Sequence, residues 1–280
     1  MLIVSRQLSL LAIFAMSVLT SCSRALLYHP TRLSQAEAQA LENKPGWKGV
    51  RLAHDEGSNF GLVSPAREGG APWLLFFGGN GMKIESSQQV LSDIRGEQAY
   101  GLCVFAYRGY DTSDGQPAQE ALLSDAVAAY DWLQREHGVA PEQLVTVGQS
   151  LGTGIAVHVS VTLARRGAAP AGTVLLSPYT SMAQVFDDHL PLIPIGWAVS
   201  EDYRTEELTE ELTPPILMIH GDRDEVIDVR HGRELAKLLE GRAELKVIPG
   251  AHHNDLWDRA EVLDAVQGFV GRLRRTKPPG

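Results

Sequence analysis

The stretch LVTVGQSLGTG, residues 144–154, joins a β-branched run to a glycine-containing helical pattern. Residues before the serine are typical of a buried strand, and those after it are typical of a helix. Gly148 and Gly152 flank Ser150 with the spacing G-x-S-x-G, and glycines at these positions avoid clashes in a tight turn. We therefore predict that Ser150 lies on a strained strand-to-helix turn, where its hydroxyl can act as a nucleophile. The alternative is a turn serine that only caps a helix.

Short apolar runs alternate with helical patterns along most of the chain. Several runs are continuously apolar, which is typical of strands buried on both faces of a parallel sheet. The pattern predicts a doubly wound α/β domain with a mostly parallel sheet of about eight strands. The predicted strands lie in WKGVRLAH (47–54), NFGLVSPA (59–66), WLLFF (73–77), GLCVFAY (101–107), LVTVG (144–148), TVLLS (173–177), ILMIH (216–220) and ELKVIP (244–249).

One segment, about residues 178–212, interrupts this alternation. It is too long for a simple turn between strands, and its internal prolines and glycine exclude one continuous helix. We predict that it forms a small helical cap. Its apolar run HLPLIPIGW, residues 189–197, is expected either to pack within the cap or to form a binding wall for an acyl chain.

The first residues have the layout of a signal peptide. Arg6 precedes an apolar and small-residue run of 13 residues, 8–20, which is too short for a stable transmembrane anchor. The sequence Leu-Thr-Ser-Cys ending at Cys22 resembles a bacterial lipobox, which implies that Cys22 is acylated and becomes the mature N-terminus. An ordinary secretory signal is the alternative. Ser23 after the cysteine, by the same resemblance, favours the outer membrane.

These features predict the domain organisation and the cellular location. Residues 1–21 are expected to be a lipoprotein signal peptide, 22–45 a lipid-anchored tether and 46–280 the globular domain. The protein is then a membrane-anchored lipoprotein on the periplasmic face of the bacterial envelope. Its net charge of −9 argues against nucleic acid as a partner. The second cysteine, Cys103, lies in an apolar strand and is predicted to be a small buried hydrophobic residue.

Two polar clusters follow the last two predicted strands. HGDRDEVI contains Asp222 and Asp224, and GAHHND contains the adjacent His252 and His253. The carboxyl ends of parallel strands meet at one edge of a sheet, where such sheets assemble their sites. A nucleophilic serine needs a base, and that base needs an orienting acid. The pattern supplies both residue types in the order serine, acid, histidine, but it does not choose between the members of each pair.

Together these motifs resemble the α/β-hydrolase fold superfamily. Within it, the chain is similar to the compact serine hydrolases that include the mammalian depalmitoylases and related lipid-anchored bacterial hydrolases. The resemblance covers about residues 45–275. It rests on FFGGNG (76–81), YRGYDTSDGQP (107–117), GQSLGTG (148–154), HGDRDEVI (220–227) and GAHHND (250–255).

The resemblance implies a role for each candidate residue. Ser150 aligns with the family's nucleophile, Asp224 with its acid and His253 with its base. Asp222 is then expected to stabilise a turn through local backbone amides. His252 stands where relatives often have glycine, and no role is assigned to it.

The resemblance also implies an oxyanion hole. Its donors would be the backbone N–H groups of Asn80 and Leu151. Gly78 stands where relatives often have histidine, but backbone donors do not require that side chain. Arg108 and Tyr110, in the YRGYD stretch, are expected either to support the site or to have a purely structural role.

The implied activity is hydrolysis of a carboxylic ester or thioester through an acyl-enzyme, without a metal or organic cofactor. The expected partners are a small or lipid-like acyl ester and the membrane surface. A metal site is not favoured, because the histidines lack an H-x-x-x-H or H-E-x-x-H spacing. One alternative is an aminopeptidase or amidase whose acidic cap residues bind a substrate amine, and another is an inactive envelope scaffold. The cap acids are Glu201, Asp202, Glu206 and Glu207.

Overall fold

A computed structural model describes residues 24–25, 27–190, 196, 199–213 and 215–275. Two sequence predictions concern residues outside these ranges. One is the signal peptide with the acylated Cys22, and the other is most of the apolar run 189–197. No helix in the described ranges is long and apolar enough to cross a membrane.

Eight strands form a single sheet with the order β1-β2-β4-β3-β5-β6-β7-β8. β2 pairs antiparallel with both β1 and β4, and all other neighbours are parallel. The predicted doubly wound, mostly parallel sheet of about eight strands is confirmed. The strands are β1 (Lys48–His54), β2 (Gly57–Ser64), β3 (Trp73–Phe77), β4 (Gly101–Phe105), β5 (Leu144–Gln149), β6 (Gly172–Leu176), β7 (Ile216–Gly221) and β8 (Ala243–Ile248).

Seven α-helices lie among the described residues. α2 packs beside α7, and α3 packs beside α4, so that every residue of the central strands β3, β5, β6 and β7 is buried. This two-sided burial explains the continuously apolar strand sequences. The helices are α1 (Gln35–Glu42), α2 (Ile84–Arg95), α3 (Gln119–His137), α4 (Leu151–Arg165), α5 (Met182–His189), α6 (Val229–Leu238) and α7 (Ala260–Arg275).

The segment expected to be a tether packs onto the domain. Leu27, Tyr28, Leu33 and Leu41 are all at least 92% shielded from solvent, the least buried being Leu33 at 8% exposure. Burial of several apolar side chains gives this segment a fixed position rather than the freedom of a polar linker. The boundaries of signal peptide, tether and domain stay predictions.

The predicted cap region, about residues 178–212, contains the short helix α5 and a 3₁₀ turn at Thr205–Leu208. α5 begins at Ser181, whose side chain accepts a hydrogen bond from the N–H of Gln184. The described part of the region therefore contains two short helical segments rather than one continuous helix, and the cap with its bounds stays a prediction.

Candidate active site

Ser150 lies between the last residue of β5 and the first residue of α4. Its backbone has φ +51° and ψ −121°, a conformation that side-chain-bearing residues rarely adopt. The Ser150 N–H donates to the carbonyl of Leu176 at 2.9 Å, which ties the turn to β6. A strained strand-to-helix turn at this serine is what the G-x-S-x-G spacing predicts.

The flanking glycines are required by close backbone contacts. A Cβ atom on Gly148 would lie 2.4 Å from the carbonyl oxygen of Gly152. A Cβ atom on Gly152 would lie 2.0 Å from the carbonyl oxygen of Phe77, at the end of β3. Both distances are far shorter than van der Waals contact, so the turn can form only without side chains at these two positions.

The structure brings Ser150, His253 and Asp224 together from the ends of three strands. His253 Nε2 lies 3.0 Å from Ser150 Oγ. His253 Nδ1 lies 2.8 Å from one carboxylate oxygen of Asp224 and 2.9 Å from the other. The His253 side chain is nearly buried and that of Asp224 fully so. The three predicted site residues therefore form a continuous hydrogen-bonded chain with the Ser150 hydroxyl at one end and the buried Asp224 carboxylate at the other.

The Asp224 carboxylate has further donors that keep it ionised. The backbone N–H groups of Val226 and Ile227 donate to Oδ1 at 3.0 and 2.8 Å. Burial alone would raise the pKa of this carboxyl, but hydrogen bonds from His220, His253 and Ile227 outweigh burial and hold the pKa well below its usual range. A carboxylate that stays charged beside His253 Nδ1 favours the tautomer in which Nε2 is free to accept a proton.

An open groove of about 830 Å³ reaches this chain of residues. Ser150 and His253 line one part of it. Its other walls come from the loop after β3, from α2 and from the 3₁₀ turn at Leu256–Asp258. The apolar lining consists of Met82, Val90, Val226 and Trp257, and the polar lining includes His29, Lys44, Glu85, Gln89, Asp93 and Asp258. Of the described residues of the predicted cap, none lines this groove.

A family model for the alpha/beta hydrolase fold matches residues 116–255, which is half of the chain. The chain belongs to the alpha/beta-hydrolase fold family. It is 29% identical over 269 residues to an uncharacterised protein of Mycobacterium tuberculosis, covering 94% of this chain and 93% of that protein. It is 30% identical over 200 residues to human alpha/beta hydrolase domain-containing protein 17B, covering 71% and 66%. The predicted resemblance to the α/β-hydrolase fold superfamily is thus confirmed, and membership of this family supports a hydrolase.

Solved structures share the fold of this α/β-hydrolase. An alpha-beta hydrolase from Vibrio vulnificus superposes with a TM-score of 0.73 at 22% identity, covering 93% of both chains. An esterase from Pyrococcus furiosus superposes with a TM-score of 0.69 at 16% identity, covering 88% of this chain and 99% of the esterase.

The α/β-hydrolase has one site residue that the motifs did not indicate. Ser177 follows β6 directly and donates from Oγ to Asp224 Oδ2 at 2.7 Å. It is fully buried and has a positive φ of +48°. The sequence could have indicated Ser177 by its position after β6. β6 lies between β5 and β7, so the carboxyl end of β6 meets the same edge of the sheet as Ser150 and Asp224.

In each of the two polar clusters, the two candidate residues have different surroundings. The side chain of His252 is half exposed and lies 3.0 Å from a carboxylate oxygen of Glu225, whereas that of His253 reaches Ser150. Asp222 accepts from the N–H of Gly250 at 2.6 Å. Its partner is therefore a distant loop, not the local turn that we expected, and Asp222 links the loops after β7 and β8.

The two predicted oxyanion residues, Asn80 and Leu151, both belong to segments that run next to Ser150. Leu151 is the first residue of α4, so its N–H has no acceptor within the helix. Asn80 lines the groove, and a Cβ atom on its neighbour Gly79 would lie 3.4 Å from Ser150 Cβ. The glycine lets this loop run close beside the serine.

Arg108 and Tyr110, the two candidate residues of the YRGYD stretch, have different surroundings. Arg108 is buried in an ion-pair network with Asp125 at 2.7 Å and Asp55 at 2.6 Å, and it does not line the groove. The Tyr110 hydroxyl donates to the side-chain oxygen of Asn80 at 2.8 Å. Arg108 is thus structural, and Tyr110 contacts the site through Asn80.

Two further observations concern metal binding and the thiol of Cys103. Among the described residues, no group of three or more histidine, cysteine, aspartate or glutamate side chains is arranged to hold a metal ion. Cys103 is completely buried, and burial raises the pKa of its thiol. Such a thiol stays protonated and is a poor nucleophile.

Proposed function

We propose that this α/β-hydrolase is a serine hydrolase that cleaves carboxylic ester or thioester bonds through an acyl-enzyme. The hydrogen-bonded chain from Asp224 through His253 to Ser150 carries the proposal, with donor–acceptor distances of 2.8 and 3.0 Å. A base within hydrogen-bond reach of a serine hydroxyl, itself oriented by a buried carboxylate, is the arrangement needed for nucleophilic acyl transfer.

In this mechanism His253 Nε2 takes the proton of Ser150 as Oγ attacks the carbonyl carbon. The negative charge that develops on the carbonyl oxygen is stabilised by the backbone N–H groups of Asn80 and Leu151. His253 then gives its proton to the leaving alcohol or thiol as the bond to the carbonyl carbon breaks. Water, deprotonated by His253, attacks the acyl-enzyme in the same way and releases the carboxylic acid and free Ser150. Asp224 stays ionised throughout and stabilises the imidazolium.

The surroundings of the acidic cap residues favour an ester or thioester over a peptide substrate. Glu201 accepts from Arg24 and Tyr28 at 2.8 Å each, and Asp202 accepts from the Ala183 N–H at 2.6 Å. None of the four acids proposed to bind a substrate amine lines the groove, and Glu206 and Glu207 also have side-chain partners. The acidic cap residues that suggested the amidase alternative are therefore not placed to bind a substrate amine in the groove.

Activity-based labelling tests the proposal. Wild-type protein should react with a fluorophosphonate and hydrolyse p-nitrophenyl esters, and Ser150→Ala should do neither. An unreactive wild-type protein would support the inactive-scaffold alternative, and labelling that persists in Ser150→Ala would assign the nucleophile elsewhere. A matched panel of an ester, a thioester and an amide with the same acyl group then separates the enzyme alternatives.

We further propose that Cys22 is acylated and holds the domain on the periplasmic face of a bacterial membrane. Arg24 lies two residues later and donates to Glu201 at 2.8 Å, and a two-residue stretch spans at most about 7 Å. His29, on the same segment, lines the groove. The groove would then open close to the membrane surface, where a lipid-like acyl ester is available. Cys22→Ala should move the protein to the soluble fraction while fluorophosphonate labelling is retained, and membrane retention of this variant would disprove the anchor.

A further inference from the structure

The loop at residues 78–80, which we call the oxyanion loop, is held by side chains and backbone from two distant parts of the chain. The side-chain oxygen of Asn80 accepts from the His29 N–H at 2.9 Å and from the Tyr110 hydroxyl at 2.8 Å. The side-chain nitrogen of Asn80 donates to the carbonyl of Leu27. The Asn80 amide is therefore engaged at both ends, and its partners lie 30 to 53 positions away in sequence.

A second tyrosine of the YRGYD stretch holds the other end of the oxyanion loop. The Tyr107 hydroxyl donates to the carbonyl oxygen of Gly78 at 2.7 Å. The rings of Tyr107 and Tyr110 meet edge to face, with centroids 5.7 Å apart and planes at 89°. Burial raises the pKa of both phenols, so both remain hydrogen-bond donors at neutral pH.

The N-terminal segment, residues 27–32, is itself fixed to the same stretch. The Asp111 N–H donates to the Thr31 carbonyl at 2.8 Å, and the Thr31 hydroxyl donates to Asp111 Oδ1 at 2.7 Å. Asp111 Oδ2 accepts from the N–H of Ile84, the first residue of α2, at 2.8 Å. The N-terminal segment, the YRGYD stretch and the oxyanion loop thus form one hydrogen-bonded unit.

We propose that the Asn80 side chain, Tyr107, Tyr110 and the N-terminal segment position the oxyanion loop for catalysis. The proposal rests on the proposed function, because it assumes that the Asn80 N–H stabilises the oxyanion. Two glycines precede Asn80, and a glycine-rich loop without external contacts samples many backbone conformations. A backbone donor contributes fully only when it is fixed in the direction of the developing charge. The segment next to the proposed lipid anchor is therefore part of the catalytic apparatus, although it does not touch the reacting atoms.

Asn80→Ala and Tyr110→Phe test this role, with Tyr130→Phe as the control. Tyr130 is also buried, but its hydroxyl has no hydrogen-bond partner in the described structure, so its removal breaks no such contact. Steady-state kinetics should use a short p-nitrophenyl ester whose hydrolysis depends on Ser150. We expect kcat to fall about 10- to 100-fold in Asn80→Ala and about 3- to 10-fold in Tyr110→Phe, while KM is unchanged. Removal of a complete oxyanion donor lowers kcat by about 10²- to 10³-fold, and a donor that is only displaced should cost less. Tyr130→Phe should match the wild type.

A trifluoromethyl ketone supplies a readout that a purely structural role would not change. Its bound hemiketal carries the same oxyanion, so the affinities of the Asn80 and Tyr110 variants should fall in proportion to their kcat/KM. Unchanged ketone affinity, or a loss confined to KM, would refute the positioning role. If Asn80→Ala does not fold, Tyr110→Phe decides the question by the same two measurements. Hydrolysis that persists in Ser150→Ala would instead refute the proposed function, so the two failures are distinguishable.

Discussion

Ser177 Oγ donates a hydrogen bond of 2.7 Å to Oδ2 of Asp224, the carboxylate that orients His253. The Ser177 backbone is fixed in turn, because its N–H donates to the carbonyl of Ile219 in β7 at 2.8 Å. A buried carboxylate is costly unless donors surround it. Ser177 therefore helps both to stabilise the charge of Asp224 and to set the direction of the carboxylate toward His253.

Ser177→Ala should lower both stability and turnover. Loss of one donor to a buried charge is expected to cost about 1–3 kcal/mol of unfolding free energy. We also expect kcat for a p-nitrophenyl ester to fall about tenfold, because a carboxylate with one donor fewer holds His253 less firmly. Chemical denaturation and steady-state kinetics measure the two effects.

Ser160→Ala is the matched control for this substitution. Ser160 is also fully buried, and its hydroxyl contacts Thr146 and Thr173 at 2.8 and 2.9 Å in the core, away from the groove. Stability should fall while kcat stays at the wild-type value. Equal effects of the two substitutions on kcat would show that Ser177 acts only through general stability.

Replacement of each of the adjacent histidines by alanine should give very different enzymes. His253→Ala removes the imidazole that contacts Ser150 and, if this imidazole is the proposed base, should lower kcat by about 10³-fold or more. His252→Ala removes a half-exposed side chain whose contact is the exposed Glu225, and kcat should change less than about twofold. Ester hydrolysis by the two purified variants is the measurement, and the opposite ranking would exchange the roles of the two histidines.

The lowered pKa of Asp224 predicts how stability depends on pH. The folded protein holds this carboxyl ionised well below the unfolded value of about 3.9, because its hydrogen bonds outweigh burial. A lowered native pKa contributes stability above the unfolded pKa, and that contribution is lost as pH falls toward the native pKa.

Asp224→Asn removes this titration and provides the comparison. The wild type should be more stable than Asp224→Asn at pH 7, and the difference in unfolding free energy should shrink between about pH 5 and pH 2. Denaturant unfolding at pH 7, 5 and 3 measures it. A difference that stays constant over this range would mean that Asp224 has the same pKa in the folded and unfolded chains.

Gly152→Ala should disrupt the turn that carries Ser150. The added Cβ would lie 2.0 Å from the Phe77 carbonyl oxygen, so that β3 and the start of α4 must separate. We expect a loss of about 3 kcal/mol or more in unfolding free energy, together with loss of fluorophosphonate labelling.

Gly268→Ala is the control for this change. Gly268 lies within α7, and the nearest atom to an added Cβ is 3.9 Å away at the end of a flexible arginine. Alanine is the better helix former by about 1 kcal/mol, so this variant should be as stable as the wild type or more so, with normal labelling. A Gly152→Ala variant that behaves like Gly268→Ala would contradict the close packing of the turn.

The sequence predicted the features that depend on neighbouring residues. The continuously apolar runs indicated strands buried on both faces, and the G-x-S-x-G spacing indicated the strained turn at Ser150. The strands could be predicted because burial by helices on both faces requires consecutive apolar residues. The turn could be predicted because its close backbone contacts require glycine at fixed positions. The resemblance then separated Asp224 and His253 from their neighbours.

The sequence did not indicate the contacts between segments that are far apart along the chain. Ser177 donates to a residue 47 positions later, and the Asn80 side chain binds a segment about 50 positions earlier. The sequence also gave no sign that apolar side chains between residues 27 and 41 pack onto the domain, or that α2 and Trp257 contribute to the groove.

The sequence by itself therefore determined the sheet, the position of the strained turn at Ser150 and the chain order of the three candidate residues. Each follows from hydrophobic periodicity or from the limited conformations open to a short stretch of backbone. Only the tertiary structure decided which side chains surround Asp224, what holds the oxyanion loop and which elements line the groove. These depend on hydrogen bonds and packing between segments that folding brings together, and residues distant along the chain carry no local mark of such contacts.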